Sequence, residues 1–148
     1  MRSRLVLSER GIEVVAQFTC PMRHITQTYN FHIDTGSSSS YLGWEDAAKA
    51  GIKVEELPSS SKPIFGFGGA ADVKHLKEPG FLRVHFEGNT LETVELPDGI
   101  LAYRPSRRKT THWRSGPSVS LLGRDFLRMS GWKLIADLPR QEAYLERP

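Results

Sequence analysis

Three short segments of this sequence combine residue types at spacings that can support chemistry. In the first, Phe31-His32-Ile33-Asp34-Thr35-Gly36-Ser37-Ser38, an apolar stretch leads into an acid, a small polar residue and a glycine. A carboxyl group at the end of an apolar strand lies where desolvation and neighbouring charges can tune its acidity. Gly36 would permit close approach of backbone or ligand. The alternative is an Asx-type turn that ends a strand, since Asp, Gly and Ser are favoured turn residues.

The second segment, Pro63 to Val73, is glycine-rich and contains Phe65, Gly66, Phe67, Gly68 and Gly69. Its Gly-x-Gly-x-x-Ala spacing formally fits a dinucleotide-binding fingerprint, which requires a strand before it and a helix after it. Pro63 and Pro79-Gly80 interrupt both. A hairpin tip flanked by aromatic residues fits better. It is either a mobile tip that closes over a ligand or a plain surface hairpin.

The third segment, Ser118 to Leu127, places apolar residues before Gly123 and a short predicted helix after it. This order predicts close packing at the glycine and, taken alone, is structural.

The elements that must position these segments are short and mostly extended. Alternating and β-branched residues predict strands at Ile12–Phe18, Gln27–Ile33, Phe81–Phe86, Thr90–Leu96, Trp132–Asp137 and Glu142–Leu145, the last four forming two hairpins. Two-turn helices are predicted at Trp44–Ala50 and Arg124–Ser130, each ended by a glycine, Gly51 and Gly131. We therefore expect a mostly β barrel or folded sheet with two short helices, in one domain spanning 1–148.

Composition narrows the class of protein. The 148 residues are 39% hydrophobic and 25% charged with a net charge of +3, as in an ordinary globular domain. No apolar stretch suits a membrane span, and a single cysteine, Cys20, favours a reducing, cytoplasmic setting. A basic cluster, Arg104 to Arg114, raises the hypothesis of a nucleic-acid-associated protein, but no recognised binding motif accompanies it, so we expect no nucleic-acid partner. The histidines show no metal-ligand spacing, and we expect neither metal nor cofactor.

Together and in this order, the three segments resemble an aspartic protease of the retroviral type, a retropepsin. Asp34-Thr35-Gly36 resembles the catalytic loop of that family, and Gly66-Phe67-Gly68-Gly69 resembles its β-hairpin flap. Leu121-Leu122-Gly123-Arg124-Asp125 resembles its hydrophobic-hydrophobic-glycine segment with the short helix that follows. The resemblance extends over roughly Ile12 to Leu145. It implies a retropepsin-like closed or folded β-barrel with two short helices and a flap.

The resemblance implies a homodimeric endopeptidase acting on peptide or protein substrates, because one chain supplies one Asp-Thr-Gly and the chemistry needs two carboxylates. Asp34 of both subunits would be the catalytic pair, Thr35 would brace the two loops, and Gly36 would present its backbone to substrate. Substrate contacts are expected from His32, Ser37, Phe65, Gly66, Phe67, Gly68, Gly69, Val119 and Leu121. Leu122, Gly123, Arg124 and Asp125 are expected to be structural. The alternative is an inactive dimerisation or peptide-binding module of the same fold.

Three features depart from the family pattern. Ser38 replaces the acid that usually pairs with the arginine of the glycine-arginine segment, which leaves Arg124 without its expected partner; Asp125 or another acid can serve instead. His32 replaces an apolar residue and, two residues before Asp34, would lie on the same side of the strand. Its charge would alter pocket preference or the pH profile, or it is simply hydrogen-bonded in the wall. The longer segment from Tyr103 to Gly116 selects acidic residues in substrates, regulates access to the cleft, or is a solvated insertion.

Overall fold

The structure is a computed structural model that describes residues 1–60, 71–105 and 119–148, with the side chains of 71, 72 and 105 excepted. The described strands are β1 (Arg2–Arg4), β2 (Val6–Ser8), β3 (Gly11–Cys20), β4 (Ile25–Ile33), β5 (Tyr41–Gly43), β6 (Ala71–Leu76), β7 (Gly80–Phe86), β8 (Thr90–Leu96), β9 (Ile100–Pro105), β10 (Ser120–Leu122), β11 (Lys133–Asp137) and β12 (Glu142–Glu146). Two α-helices, α1 (Trp44–Lys49) and α2 (Arg124–Ser130), and 3-10 turns at Pro21–Arg23, Val54–Glu56 and Glu87–Asn89 complete the described elements.

The strands form two sheets. The larger one has the order β6-β9-β5-β10-β4-β3-β7-β8, with β2 paired to β3, and the smaller one has the order β1-β12-β11. Most pairs are antiparallel, as expected for hairpin-connected strands, but β10 runs parallel to β4 and β5 runs parallel to β9. The mostly β architecture predicted from the sequence is confirmed.

One core joins the two sheets to the second helix. Phe18 and Phe31 from the large sheet, Leu145 from the small sheet and Phe126 from α2 are all fully buried in the same cluster. Trp132 packs edge-on against both Phe86 and Phe126, with ring centroids 4.8 and 5.6 Å away. Such edge-to-face geometry adds to the stabilisation from buried area. The sheets therefore fold around a shared interior.

The six predicted strands and two predicted helices are present, with ends shifted by at most two residues. Gly51 and Gly131 have φ of +77° and +70°, the left-handed conformation that ends a helix without strain at glycine. The short strands β1, β2, β5, β6, β9 and β10 were not predicted, because three to six residues held by tertiary pairing carry little periodic signal.

No helix among the described residues is long and apolar enough to cross a membrane.

Candidate active site

The Asp34 loop begins where β4 leaves the core. Phe31 and Ile33 are buried on one face of the strand, so His32 and Asp34 project from the other. The Asp34 N–H donates to Leu122 O at 2.9 Å and continues the parallel pairing of β4 with β10. The residue is therefore held by the sheet through its backbone while its carboxyl group is exposed.

The Asp34 carboxylate is held in one orientation by its own turn. Gly36 N–H donates to Asp34 Oδ1 at 2.9 Å, and Ser37 N–H donates to Asp34 O at 3.1 Å. This is an Asx turn, so the structural alternative considered from the sequence describes the geometry correctly. It does not compete with a catalytic role, because the turn orients an exposed acid and leaves Oδ2 without a hydrogen bond among the described residues. Thr35 and Gly36 are exposed beside it.

The segment from Leu122 to Asp125 packs against the Asp34 loop and is hydrogen-bonded to it. Gly123 is so close to the loop that a Cβ at this position would lie 2.5 Å from Ser39 O and 2.7 Å from Ser37 O. The Arg124 N–H donates to Ser37 O at 2.8 Å. The close packing at the glycine that the sequence predicts is therefore present, and the atoms that it contacts are the backbone of the Asp34 loop.

Asp125 fastens the end of the loop to α2. Its Oδ1 accepts hydrogen bonds from the Ser40 hydroxyl at 2.6 Å and from Phe126 N–H at 2.7 Å, and its Oδ2 accepts one from Ser40 N–H at 3.0 Å. Ser40 Oγ in turn accepts Gly123 N–H at 3.0 Å. Asp125 is thus occupied by Ser40 and is not the partner of Arg124, which the sequence left open. Ser40 itself was not selected from the sequence, because its partner lies 85 residues away.

We expect Asp125→Asn to destabilise the protein by about 1–3 kcal/mol, because the amide NH2 cannot accept the hydrogen bond from buried Ser40 N–H. Urea unfolding measures the effect. Asp98→Asn is the matched control, because Asp98 is exposed. Equal free energies of unfolding for the two variants would contradict the assignment.

Arg124 is exposed, and its Nη1 donates to Thr35 O at 3.3 Å. No carboxylate among the described residues forms an ion pair with it. The desolvation cost of a buried, unpaired guanidinium does not arise here, because the group remains in contact with water.

Ser37, expected to contact substrate, is half-buried and directs its hydroxyl to Ser39 O at 2.7 Å.

An apolar cluster lies on the same side of the sheet as Asp34. Tyr41, Leu101, Tyr103 and Leu121 are buried together, with Val73 and Val119 packed against them. The Tyr103 hydroxyl donates to Val119 O at 2.7 Å and accepts Val119 N–H at 2.9 Å. Burial raises the pKa of the Tyr41 and Tyr103 phenols, so both remain neutral hydrogen-bonding groups. Leu121 and Val119, selected from the sequence, are thus brought together. Tyr41 and Tyr103 were missed, because only pairing of distant strands places them there.

The predicted flap residues Phe65, Gly66, Phe67, Gly68 and Gly69 lie outside the described residues. The chain on either side of them is antiparallel: Ser60 N–H donates to Val73 O at 3.0 Å, and His75 N–H donates to Pro58 O at 2.8 Å.

Within the basic cluster, Arg104 forms an ion pair with Glu55 at 3.6 Å, and most of the remainder of the cluster also lies outside the described residues. No group of three metal-ligating side chains occurs in the described ranges.

Comparison with solved structures identifies the class of fold. The chain is similar to a retropepsin-like aspartic protease from Rickettsia conorii, with a TM-score of 0.54 and 18% identity, over 98% of this chain and 89% of that one. It is also similar to the EIAV protease complexed with the inhibitor HBY-793, with a TM-score of 0.47 and 18% identity, over 86% of this chain and 95% of that one. No family profile and no curated protein matches the sequence. The chain has a retropepsin-like fold.

Proposed function

We propose that this protein is an aspartic endopeptidase in which two copies of the chain each supply Asp34. The observation that carries the proposal is the exposed Asp34 carboxylate, oriented by Gly36 N–H in a loop that is hydrogen-bonded to the sheet and to the start of α2. The retropepsin-like fold supports it. An isolated chain offers one such carboxylate, and a two-fold axis beside the loop supplies the second.

Hydrolysis in the proposed dimer uses a shared proton. Two carboxylates about 3 Å apart cannot both ionise at modest energy, so one Asp34 is ionised and the other is protonated. The ionised group takes a proton from a bound water, whose oxygen attacks the scissile carbonyl carbon while the protonated group donates to the carbonyl oxygen. As the C–N bond of the tetrahedral intermediate breaks, the Asp34 that took the proton from water gives it to the leaving nitrogen, and the other Asp34 takes a proton back from a hydroxyl of the intermediate, which re-forms the carbonyl. The pair titrates as a unit.

The apolar cluster and the flap would bind the peptide. Leu121 and Val119 offer apolar surface on the Asp34 face, and the proposed flap at Phe65 to Gly69 would cover the substrate and exclude water. An extended peptide between them would be held by main-chain hydrogen bonds, as in other strand-addition complexes.

The test is incubation with a mixed peptide pool from about pH 3 to pH 8, alongside Asp34→Asn. Cleavage by the parent that is absent in the variant supports a protease. A protein that binds peptides without cleaving them supports the alternative, an inactive peptide-binding module.

The edge strand β11 is suited to the second copy. Among the described residues β11 pairs only with β12, which leaves its other edge open. We infer antiparallel pairing of β11 with the β11 of the second copy, centred on Ile135, which would place Lys133 opposite Asp137 of the second copy, twice in each dimer. Opposite charges in such cross-strand positions stabilise the pair, whereas like charges destabilise it.

We expect Lys133→Asp and Asp137→Lys each to weaken dimerisation about tenfold, because each puts like charges across the axis. The double variant restores opposite charges and should recover affinity, even though Asp137 also accepts a hydrogen bond from Arg140 N–H in the parent chain. Sedimentation equilibrium measures the dissociation constants. A double variant that dimerises more weakly than both single variants would exclude this interface. That result would not bear on the role proposed for Asp34.

A further inference from the structure

A row of register partners crosses the large sheet on the face that carries Asp34. Glu13 on β3 is paired with His32 on β4, His32 with Leu121 on β10, and Leu121 with Tyr41 on β5. Register partners on neighbouring strands project from the same face. The row therefore changes from charged to apolar along the face beside Asp34. The apolar end is the cluster already described, and Glu13 and His32 form the other end.

The Glu13 carboxylate and the His32 imidazole are in direct contact, mostly withdrawn from water but still reachable. Their Oε1 and Nε2 atoms are 2.8 Å apart, and their side chains are 15% and 23% exposed. Glu13 Oε2 also accepts a hydrogen bond from Asn30 Nδ2 at 3.3 Å. A carboxylate has about four lone-pair positions, so two remain for an incoming donor. A half-buried charge is screened less than one on the surface.

The imidazole is held in a defined orientation by this contact. With Nε2 at Glu13, the Nδ1 atom lies near Gly11, where an ideal Cβ would still be 4.0 Å away. Gly11 has φ of +116°, which favours glycine, so this position is kept free of a side chain. On its other side Glu13 is paired in register with apolar Val6. Among the residues that the structure describes, His32 is thus the only ionisable one paired in register with Glu13.

The sign of the pair's net charge is limited by the Glu13 carboxylate. While Glu13 is ionised, the pair carries no net charge if His32 is protonated and −1 if His32 is neutral. The pair is then not positive, although His32 considered alone suggests a cationic wall. A carboxylate entering this position meets no net attraction and a nearby acid, whereas an ammonium or guanidinium meets an acceptor.

We propose that Glu13 is a specificity-determining residue, which with His32 forms a subsite that selects lysine or arginine side chains of the substrate over aspartate or glutamate. The inference rests on the proposed protease function, because the subsite is defined by its place beside Asp34. It names a residue that the sequence did not reveal, since only the register of β3 with β4 brings Glu13 to His32.

The test uses pairs of peptides that differ only by Lys or Glu at one position near the cleavage site. For the parent enzyme, kcat/KM should favour Lys by about tenfold or more at one of these positions. Glu13→Gln changes the pair to zero or +1 and should reduce that ratio about tenfold. Glu13→Asp keeps the charge and should retain the preference. Glu95→Gln on β8 makes the same change in total charge at an exposed position and should leave the ratio unchanged.

Two results overturn the inference alone: an unchanged ratio in Glu13→Gln, or an equal change in Glu95→Gln, which would indicate a long-range charge effect. Thermal unfolding of each variant shows that the fold is retained, and Glu13→Ala, which removes the same charge, carries the test if Glu13→Gln does not fold. Failure of the parent to cleave any peptide overturns the proposed function, and the subsite with it.

Discussion

Asp34→Asn should abolish peptide hydrolysis while leaving the fold intact. The amide cannot accept a proton from water or share one with its counterpart, so the rate should fall by at least about 10³-fold. Its side-chain oxygen can still accept the Gly36 N–H bond, and the exposed position tolerates the substitution. The free energy of unfolding should therefore change by less than about 0.5 kcal/mol. Initial rates on a cleaved peptide and a urea titration measure the two quantities.

A mixing experiment makes this prediction sharper. Since each active dimer needs two intact Asp34 residues, adding the Asp34→Asn chain to the parent should inhibit it by subunit exchange. After equilibration, activity per parent subunit should be proportional to the fraction of parent chains. The control is Asp98→Asn, which changes an exposed acid of the β8–β9 turn. Adding this chain to the parent should leave the activity per total subunit unchanged. Activity that is independent of added Asp34→Asn would contradict a shared site.

Gly123→Ala should disrupt the candidate site by displacing the Asp34 loop, which packs against Gly123. At φ −96° any residue can adopt this backbone conformation, so the cost comes from space. The new methyl group would lie 2.5 Å from Ser39 O and 2.7 Å from Ser37 O, and backbone atoms cannot rotate away as a side chain can. We expect a loss of about 1–3 kcal/mol in stability and a displaced Asp34 loop with little hydrolysis.

Gly51→Ala separates this effect from the general cost of replacing a glycine. Gly51 has φ of +77° with nothing within 4 Å of an added Cβ, so its substitution introduces backbone strain without a clash. We expect it to cost about 1 kcal/mol and to retain hydrolysis, because an added Cβ at Gly51 meets no atom within 4 Å and therefore displaces no neighbouring segment. Unfolding curves and peptide cleavage for the two variants give the comparison. Full activity in Gly123→Ala would show that the loop does not depend on this packing.

The sequence predicts the long elements and the chemistry of single segments well. Strands such as β3 and β4 carry clear β patterns, and Gly51 and Gly131 mark both helix ends. Asp34 follows an apolar strand and could be selected without any structure. These features are local, so the information that specifies them lies within a few neighbouring residues.

The contacts that build the site are not local and could not be predicted. Ser40 meets Asp125 across 85 residues, and Glu13 meets His32 only through the register of two strands. The sequence left the partner of Arg124 open, with Asp125 as one candidate, and only the structure shows that the Asp125 oxygens accept hydrogen bonds from Ser40 and Phe126 instead. A pattern that identifies a residue type does not identify its partner.

The place of β10 between β4 and β5 has a consequence for synthesis of the protein. The strand and the glycine after it come late in the chain, yet they hold the backbone on which Asp34 sits. Contacts so distant in sequence form only after the intervening segments have been made. A growing polypeptide on the ribosome therefore carries Asp34 long before it has the support that orients it, so the proposed hydrolysis would require that β10 and Gly123 have already been synthesised.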